Sequence, residues 1–222
     1  MKVLKLLVAA AVLGTLGACA NVDTATRGAV DQTPLNSTSR AAIENQRAVA
    51  IAPSVNIAQI NVRVPRSLRV SEANRYYPSG DIVWREDPIG DRHAQVAKVI
   101  DEGLRKGATR LNGERPVIID VQVTRFHALT EKARYTVGGV HAIQFYLQVR
   151  DAQTKEILMQ PRIVKADFDA LGGNAAVQAE AKGITQRVRI TDHLAKVLEH
   201  EMTKRYGYVA ESTGVMGAIN QL

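Results

Sequence analysis

Disulfides are out of reach for this chain, because Cys19 is the only cysteine in its 222 residues. A thiolate metal site needs several such ligands at short spacing and is excluded with them. Aromatic residues are scarce: one Trp, six Tyr and three Phe. The chain shows no glycine-rich phosphate loop, no H-E-x-x-H, no C-x-x-C and no G-x-S-x-G. It therefore lacks the nucleotide-binding, zinc-peptidase and serine-hydrolase signatures that a sequence can display directly. The apolar run near the start, residues 6–16, is well short of the roughly 20 residues that cross a bilayer. No internal repeat or sustained heptad pattern is evident.

What is present begins at the N-terminus. Lys2 and Lys5 precede that apolar run, and small residues then lead to Cys19. This order of basic, apolar and small residues reads as an export signal over residues 1–18 rather than as part of a fold. Leu16-Gly17-Ala18-Cys19 resembles a bacterial lipobox. That resemblance implies diacylglycerol in thioether linkage on Cys19, cleavage before it, and a further acyl chain, such as palmitate, on the freed amine. Two or three chains anchor a protein stably where one does not. Ala20 stands where an aspartate would hold a Gram-negative lipoprotein at the inner membrane, so the implied location is the periplasmic face of the outer membrane. Ala18-Cys19-Ala20 also satisfies the A-x-A pattern of ordinary signal cleavage, which would release a soluble periplasmic protein.

Loss of Lys2 and Lys5 with the signal lowers the net charge from +7 to +5. An exported protein with that excess meets head groups or acidic protein surfaces, and nucleic acid is not an expected partner. The arginines are spread along the chain, as a solvated surface requires. Residues 19–54 are rich in Ala, Thr, Asn, Ser and Gln, which suits a lipidated cysteine followed by a flexible tether.

The remaining pattern predicts a domain over residues 55–205 and a loosely ordered tail over 206–222. Ile60, Val62 and Val64 alternate with Asn61 and Arg63 until Pro65, predicting a strand. Asp91 offers an N-cap to a helix whose Val96, Val99, Ile100, Leu104 and Leu111 share one face. Residues 117–123 and 141–149 alternate as two strands of a hairpin centred near Arg134. Asp151 to Lys155 forms a polar turn into a third strand over 156–168. Asn174 is the expected cap of one long helix reaching about Lys204, with Ile184, Val188, Leu194, Leu198 and Met202 as its stripe and Gly183 as a weak point. The expected fold is α+β: an antiparallel sheet of about four strands, in the order β-α-β-β-β-α, with two amphipathic helices on one face.

Candidate functional residues are few. Tyr76, Tyr77 and Trp84 fall together in an irregular stretch, and aromatic residues on a long loop suit partner binding; alternatively, Trp84 folds back and seals the end of the sheet. His127 and His141 would oppose each other across a hairpin centred near Arg134 and could share a transition metal, though no third ligand is evident. His193 and His200 are two helical turns apart and are expected at the surface. Asp81, Glu86, Asp87 and Asp91 form an acidic set that Arg85 and Arg92 would neutralise in a solvated loop.

With lipobox, the Val70-Ser71-Glu72-Ala73-Asn74-Arg75-Tyr76-Tyr77-Pro78 segment and the final helix taken together, the chain resembles small Gram-negative lipoproteins of unknown function. More loosely, its element order and the Val149 to Leu158 turn resemble envelope lipoproteins that assist transport or secretion. A fold-level likeness of this kind supplies no function; the expected role is a non-catalytic binding or assembly/transport-accessory module, attached to the membrane by its lipid, partnered by an envelope protein and holding no cofactor. The competing reading is a metal-dependent or hydrolytic envelope enzyme built on His127 and His141.

Overall fold

The structure, a computed structural model, describes residues 55–204 and 206–210. The expected export signal, Cys19, the expected tether and most of the expected C-terminal tail lie outside the described residues. Six strands form one mixed sheet, accompanied by four helices. β1 (Val55–Arg63) runs parallel to β3 (Arg115–His127). A parallel neighbour requires a crossover, and the crossover here contains β2 (Ile82–Val83) and α1 (Arg92–Ala108). β2 returns to the same side of β3, pairing Ile82 with Phe126 and Val83 with His127. It therefore continues the edge where β1 leaves it. The sheet is mixed rather than wholly antiparallel, because β1 and β2 both run parallel to β3.

β3 turns back through a single helical turn, α2 (Glu131–Arg134), into the antiparallel β4 (Gly139–Asp151). The next turn forms as its residue types dictate. Asp151 Oδ1 accepts from the backbone N–H groups of Gln153 and Thr154, and Lys155 takes a left-handed φ of 65°. The strand expected over 156–168 is divided into β5 (Ile157–Lys165) and β6 (Phe168–Ala170), both on β4. At the break the Asp167 carboxylate accepts from the Ile143 N–H at 2.8 Å, replacing a ladder bond that the strand would have supplied.

The predicted long C-terminal helix is also two elements, α3 (Gly173–Ala181) and α4 (Gln186–Thr203). Gly183 takes a φ of 75° between them, and Thr185 starts α4 by accepting from the Val188 N–H. Asn174 does not cap α3; that position is Gly172, without a side-chain bond. The buried stripe of α4 is Ile190, Leu194, Val197, Leu198 and Met202, while Ile184 lies exposed ahead of the helix.

α1 and α4 pack against each other on one face of the sheet. Their apolar stripes meet Val117, Ile119, Val121, Phe145, Leu147 and Val149 in a single core. The two helices approach closely where α1 carries Gly103 and Gly107. A β-carbon on Gly103 would come within 2.7 Å of Leu194 Cβ, and one on Gly107 within 2.6 Å of the Ala195 carbonyl oxygen. Replacing Gly107 by alanine would gain about 1 kcal/mol of helix propensity. The enforced separation costs about 1–3 kcal/mol. Gly107→Ala should therefore lower the urea unfolding midpoint, with a net loss of up to about 2 kcal/mol. A raised midpoint would mean that the helices are not this close.

Candidate functional site

The segment between β1 and β2 is a loop closed at its base. Arg69 O accepts from the N–H groups of Asp81 and Ile82, and Ser71 N–H donates to Ile82 O. Its far end is fastened from below. Glu72 receives Arg92 Nε at 2.6 Å and Nη2 at 3.1 Å, and Arg92 is only 4% exposed. Arg85 lies 3.5 Å from the Glu72 carboxylate and donates through Nε to Glu131 at 2.6 Å. Asn74 accepts from the Lys132 N–H, and the Thr130 hydroxyl donates to Arg75 O, each at 2.8 Å. Above these bonds Tyr76 and Tyr77 stand 41% and 55% exposed. The Lys132 ammonium sits 4.8 Å from the Tyr76 ring centroid.

Trp84 does not join them. It is fully buried, packed edge-on to Phe126 at 5.7 Å between centroids, and its indole N–H donates to Asp87 at 2.7 Å. The Arg187 guanidinium covers its face at 5.5 Å and also binds both Asp87 oxygens and Glu102. Trp84 thus seals the core and is not a contact residue. The reason lies in Phe126 and Arg187, which come from β3 and α4 and make burial of the indole favourable.

The same distant arginine corrects the reading of the acidic set. Asp87 pairs with Arg187, Glu86 with Arg134 at 3.6 Å, and Asp91 with Arg66 while capping α1. Arg66 and the Ala94 N–H hold the Asp91 carboxyl down at about 2. Arg85 and Arg92 are engaged with Glu72 and Glu131. At Asp87 burial opposes ionisation, but bonds from Trp84 and Arg187 outweigh it and keep the carboxyl below its ordinary range.

The histidine pair is separated by one residue of register. β3 and β4 pair Val117 with Asp151 and Val123 with Phe145, but an irregularity between Val123 and Arg125 shifts the register, so that His127 opposes Ala142. Directly paired residues share a face and sequence neighbours do not. His127 and His141 therefore point to opposite faces and cannot share a metal, and no three-ligand group of His, Cys, Asp or Glu occurs among the described residues. His127 Nε2 lies 2.9 Å from Gly80 O. Burial, with Arg125 nearby, pushes its pKa down to about 4.

His141 is on the helix side and 1% exposed. It begins a row of rings: Phe168 at 4.8 Å, then His193 stacked on Phe168 at 4.0 Å, then Tyr208 edge-on to His193 at 5.5 Å. His200 also reaches Tyr208, so the two helix histidines seven apart are joined through one tyrosine ring. His193 is only partly exposed, and burial lowers its pKa to about 4. For His141 burial, reinforced by Arg189 and Arg134, lowers it to about 3.

Beside His141 lies a small open cleft of about 10 Å³, room for about one water molecule. Arg134 from α2, Thr185 and Arg189 from the start of α4, and Leu171 and Ile184 from the connecting segments complete its wall. His141 Nδ1 is buried without a hydrogen-bond partner among the described residues. Nothing in the sequence pointed to this site. Arg134 and Arg189 are 55 positions apart, and only the register at the start of β4 brings His141 between them.

Comparison with known proteins places this arrangement in a wider group without naming its role. A family model described as a family of unknown function, DUF6778, matches residues 55–218. No curated protein matches the chain. Among solved structures, a DUF330 protein from Xanthomonas campestris is 8% identical, with a TM-score of 0.39 over 68% of this chain and 84% of its own. A candidate lipoprotein from Caulobacter crescentus is 10% identical, with a TM-score of 0.34 over 73% of this chain and 93% of its own.

Two outcomes check this geometry. Trp84→Ala should cost about 3–5 kcal/mol of stability, as for other buried large aromatics; a loss within 0.5 kcal/mol, the range usual at the surface, would place the indole outside the core. The three histidines with depressed pKa values are neutral in the folded chain and bind protons on unfolding. Stability they confer is complete above about pH 6.5 and is lost as pH falls toward 4. Urea titrations at pH 7 and 5.5 should show the protein less stable at 5.5, a window in which carboxylates contribute little. Equal stability at the two values would refute burial of the neutral imidazoles.

Proposed function

We propose, for a chain that belongs to DUF6778, a family of unknown function, that it is an outer-membrane lipoprotein whose α+β domain binds an envelope protein without catalysis. The lipobox-like Leu16-Gly17-Ala18-Cys19 supports the anchor, with Cys19 lipidated and residues 19–54 spacing the domain from the periplasmic face of the membrane. The observation that carries the binding role is the pair Tyr76 and Tyr77, held half-exposed on a loop closed at its base by Arg69, Ser71, Asp81 and Ile82 and fastened at its far end by Glu72, Arg92, Asn74 and Thr130. A fixed loop loses little conformational entropy on binding, and tyrosine rings supply large contact area with few rotatable bonds. Lys132 beside Tyr76 adds a cation that suits a carboxylate on the partner.

Crosslinking and affinity capture of the lipidated protein from membranes tests both halves. The wild-type chain should sediment with the outer membrane and recover one specific protein. Cys19→Ala should abolish sedimentation. Tyr76→Ser/Tyr77→Ser should keep the urea midpoint and weaken capture at least about tenfold, the effect of losing about 1.4 kcal/mol of contact energy. A variant that folds and captures the partner undiminished would remove the tyrosines from the interface.

A further inference from the structure

The end of the domain where β3 finishes and β4 begins carries more than the two loop tyrosines. Tyr135, at the close of α2, is 47% exposed, and Val137, between α2 and β4, is 70% exposed. Lys132 joins them to the loop. Its ammonium sits over the Tyr76 ring, and Tyr135 follows it by three positions, the spacing of neighbours on a helix surface. Tyr135 keeps that helical position, since its N–H donates to Glu131 O. Tyr77, Tyr76, Lys132, Tyr135 and Val137 therefore form one exposed stripe. The carboxylates around it are already committed: Glu72 to Arg92, Glu131 to Arg85, and Glu180 to Arg134 and the Tyr135 hydroxyl. The cations are not. Arg75, exposed in the loop, and Lys132, exposed on α2, have no carboxylate within ion-pairing distance among the described residues.

We propose that this stripe is the contact surface for an acidic protein segment, whose apolar or aromatic side chains lie across Tyr76, Tyr77, Tyr135 and Val137 and whose carboxylates meet Arg75 and Lys132. This rests on the reading of Tyr76 and Tyr77 as contact residues and adds a charge and a wider footprint to it. Aromatic side chains carry much of the energy of protein interfaces, and complementary charges at the rim set the choice of partner and the rate of encounter. The place where the chain enters the domain favours a protein over the membrane surface. Val55 pairs with Arg115 at the start of β3, whereas the stripe lies beyond His127 at its end. At about 3.3 Å per residue these two ends of β3 are about 40 Å apart. An anchor ahead of Val55 joins the domain at the end away from the rings, so a domain standing on its tether presents the stripe away from its own membrane.

The experiment uses the purified lipidated protein in non-ionic detergent, with a labelled glutamate–tyrosine copolymer and a lysine–tyrosine copolymer as probes. The acidic copolymer should bind saturably, weaken as sodium chloride is raised, and protect Tyr76, Tyr77 and Tyr135 from hydroxyl-radical labelling. Arg75→Glu/Lys132→Glu should weaken this binding at least about tenfold and make the basic copolymer the better binder. Lys98→Glu/Lys196→Glu, the same charge change at exposed positions of α1 and α4, should change it far less. Tyr135→Ser/Val137→Ser should keep the urea midpoint and weaken binding as well. No saturable binding of the acidic copolymer, or equal weakening by the two charge reversals, would overturn the proposal. So would protection of the same rings in phosphatidylglycerol-containing vesicles without copolymer, which would assign the stripe to the membrane. If Tyr76→Ser/Tyr77→Ser abolishes capture from membranes while the Arg75/Lys132 and Tyr135/Val137 variants capture undiminished, the tyrosine pair binds alone and only this extension fails. Capture that survives the loss of both loop tyrosines would instead remove the reading on which it rests.

Discussion

The separation between α1 and α4, set by two hydrogen side chains at Gly103 and Gly107, is the constraint on which the rest of the domain rests. α4 is the element that the other parts hold onto. Near its start Arg187 reaches Asp87 and Glu102; along its length Lys106 and Arg110 from the α1 side reach Asp192 and Glu199. Toward its end Glu201, with 0% side-chain exposure, is gripped by Arg162 of β5 and accepts the Tyr208 N–H. A buried carboxylate is tolerable only while its guanidinium and N–H partners remain in place. Interiors packed at crystal density do not yield smoothly to a displaced helix. A shift of α4 away from α1 would therefore break several of these bonds together.

The scarcity of cysteine has a structural counterpart in the use of arginine. Irregular segments that disulfides could otherwise staple are fastened here by guanidinium groups: Arg92 to Glu72, Arg85 to Glu131, Arg187 to Asp87. Asp120 on the sheet face opposite the helices takes Arg150 and Asn61 in the same way, and these bonds outweigh burial in keeping its carboxyl below the ordinary range. The positive net charge is thus largely the excess over a set of paired arginines.

Strand alternation and helix stripes were legible because they depend on residues close in sequence. Val117 to Val123, residues 141–149, the Asp91 cap and the Asp151 turn all form as their residue types require. What escaped notice depends on one-residue shifts or on distant partners. The irregularity between Val123 and Arg125 turns His127 away from His141, and no residue type announces it. The two-residue β2 is too short to show a period. Gly103 and Gly107 look like weak helix positions until Leu194 and Ala195 are placed against them. Trp84 could be assigned to core or surface only once Phe126 and Arg187 were known as its neighbours. The cleft was invisible for the same reason, since its two arginines and its histidine come from three separate elements.

Both edges of the sheet are assembled from two strands in line, β1 with β2 and β5 with β6, instead of one continuous strand each. β5 also carries Pro161, which has no N–H to offer, and its pairing with β4 is irregular at two points. A long, regular edge is a template on which another chain can add itself, and repetition of that addition is how sheets aggregate. Interrupted edges deny a newly arriving strand a continuous row of donors and acceptors. That interruption favours remaining a dispersed population over growing into fibres.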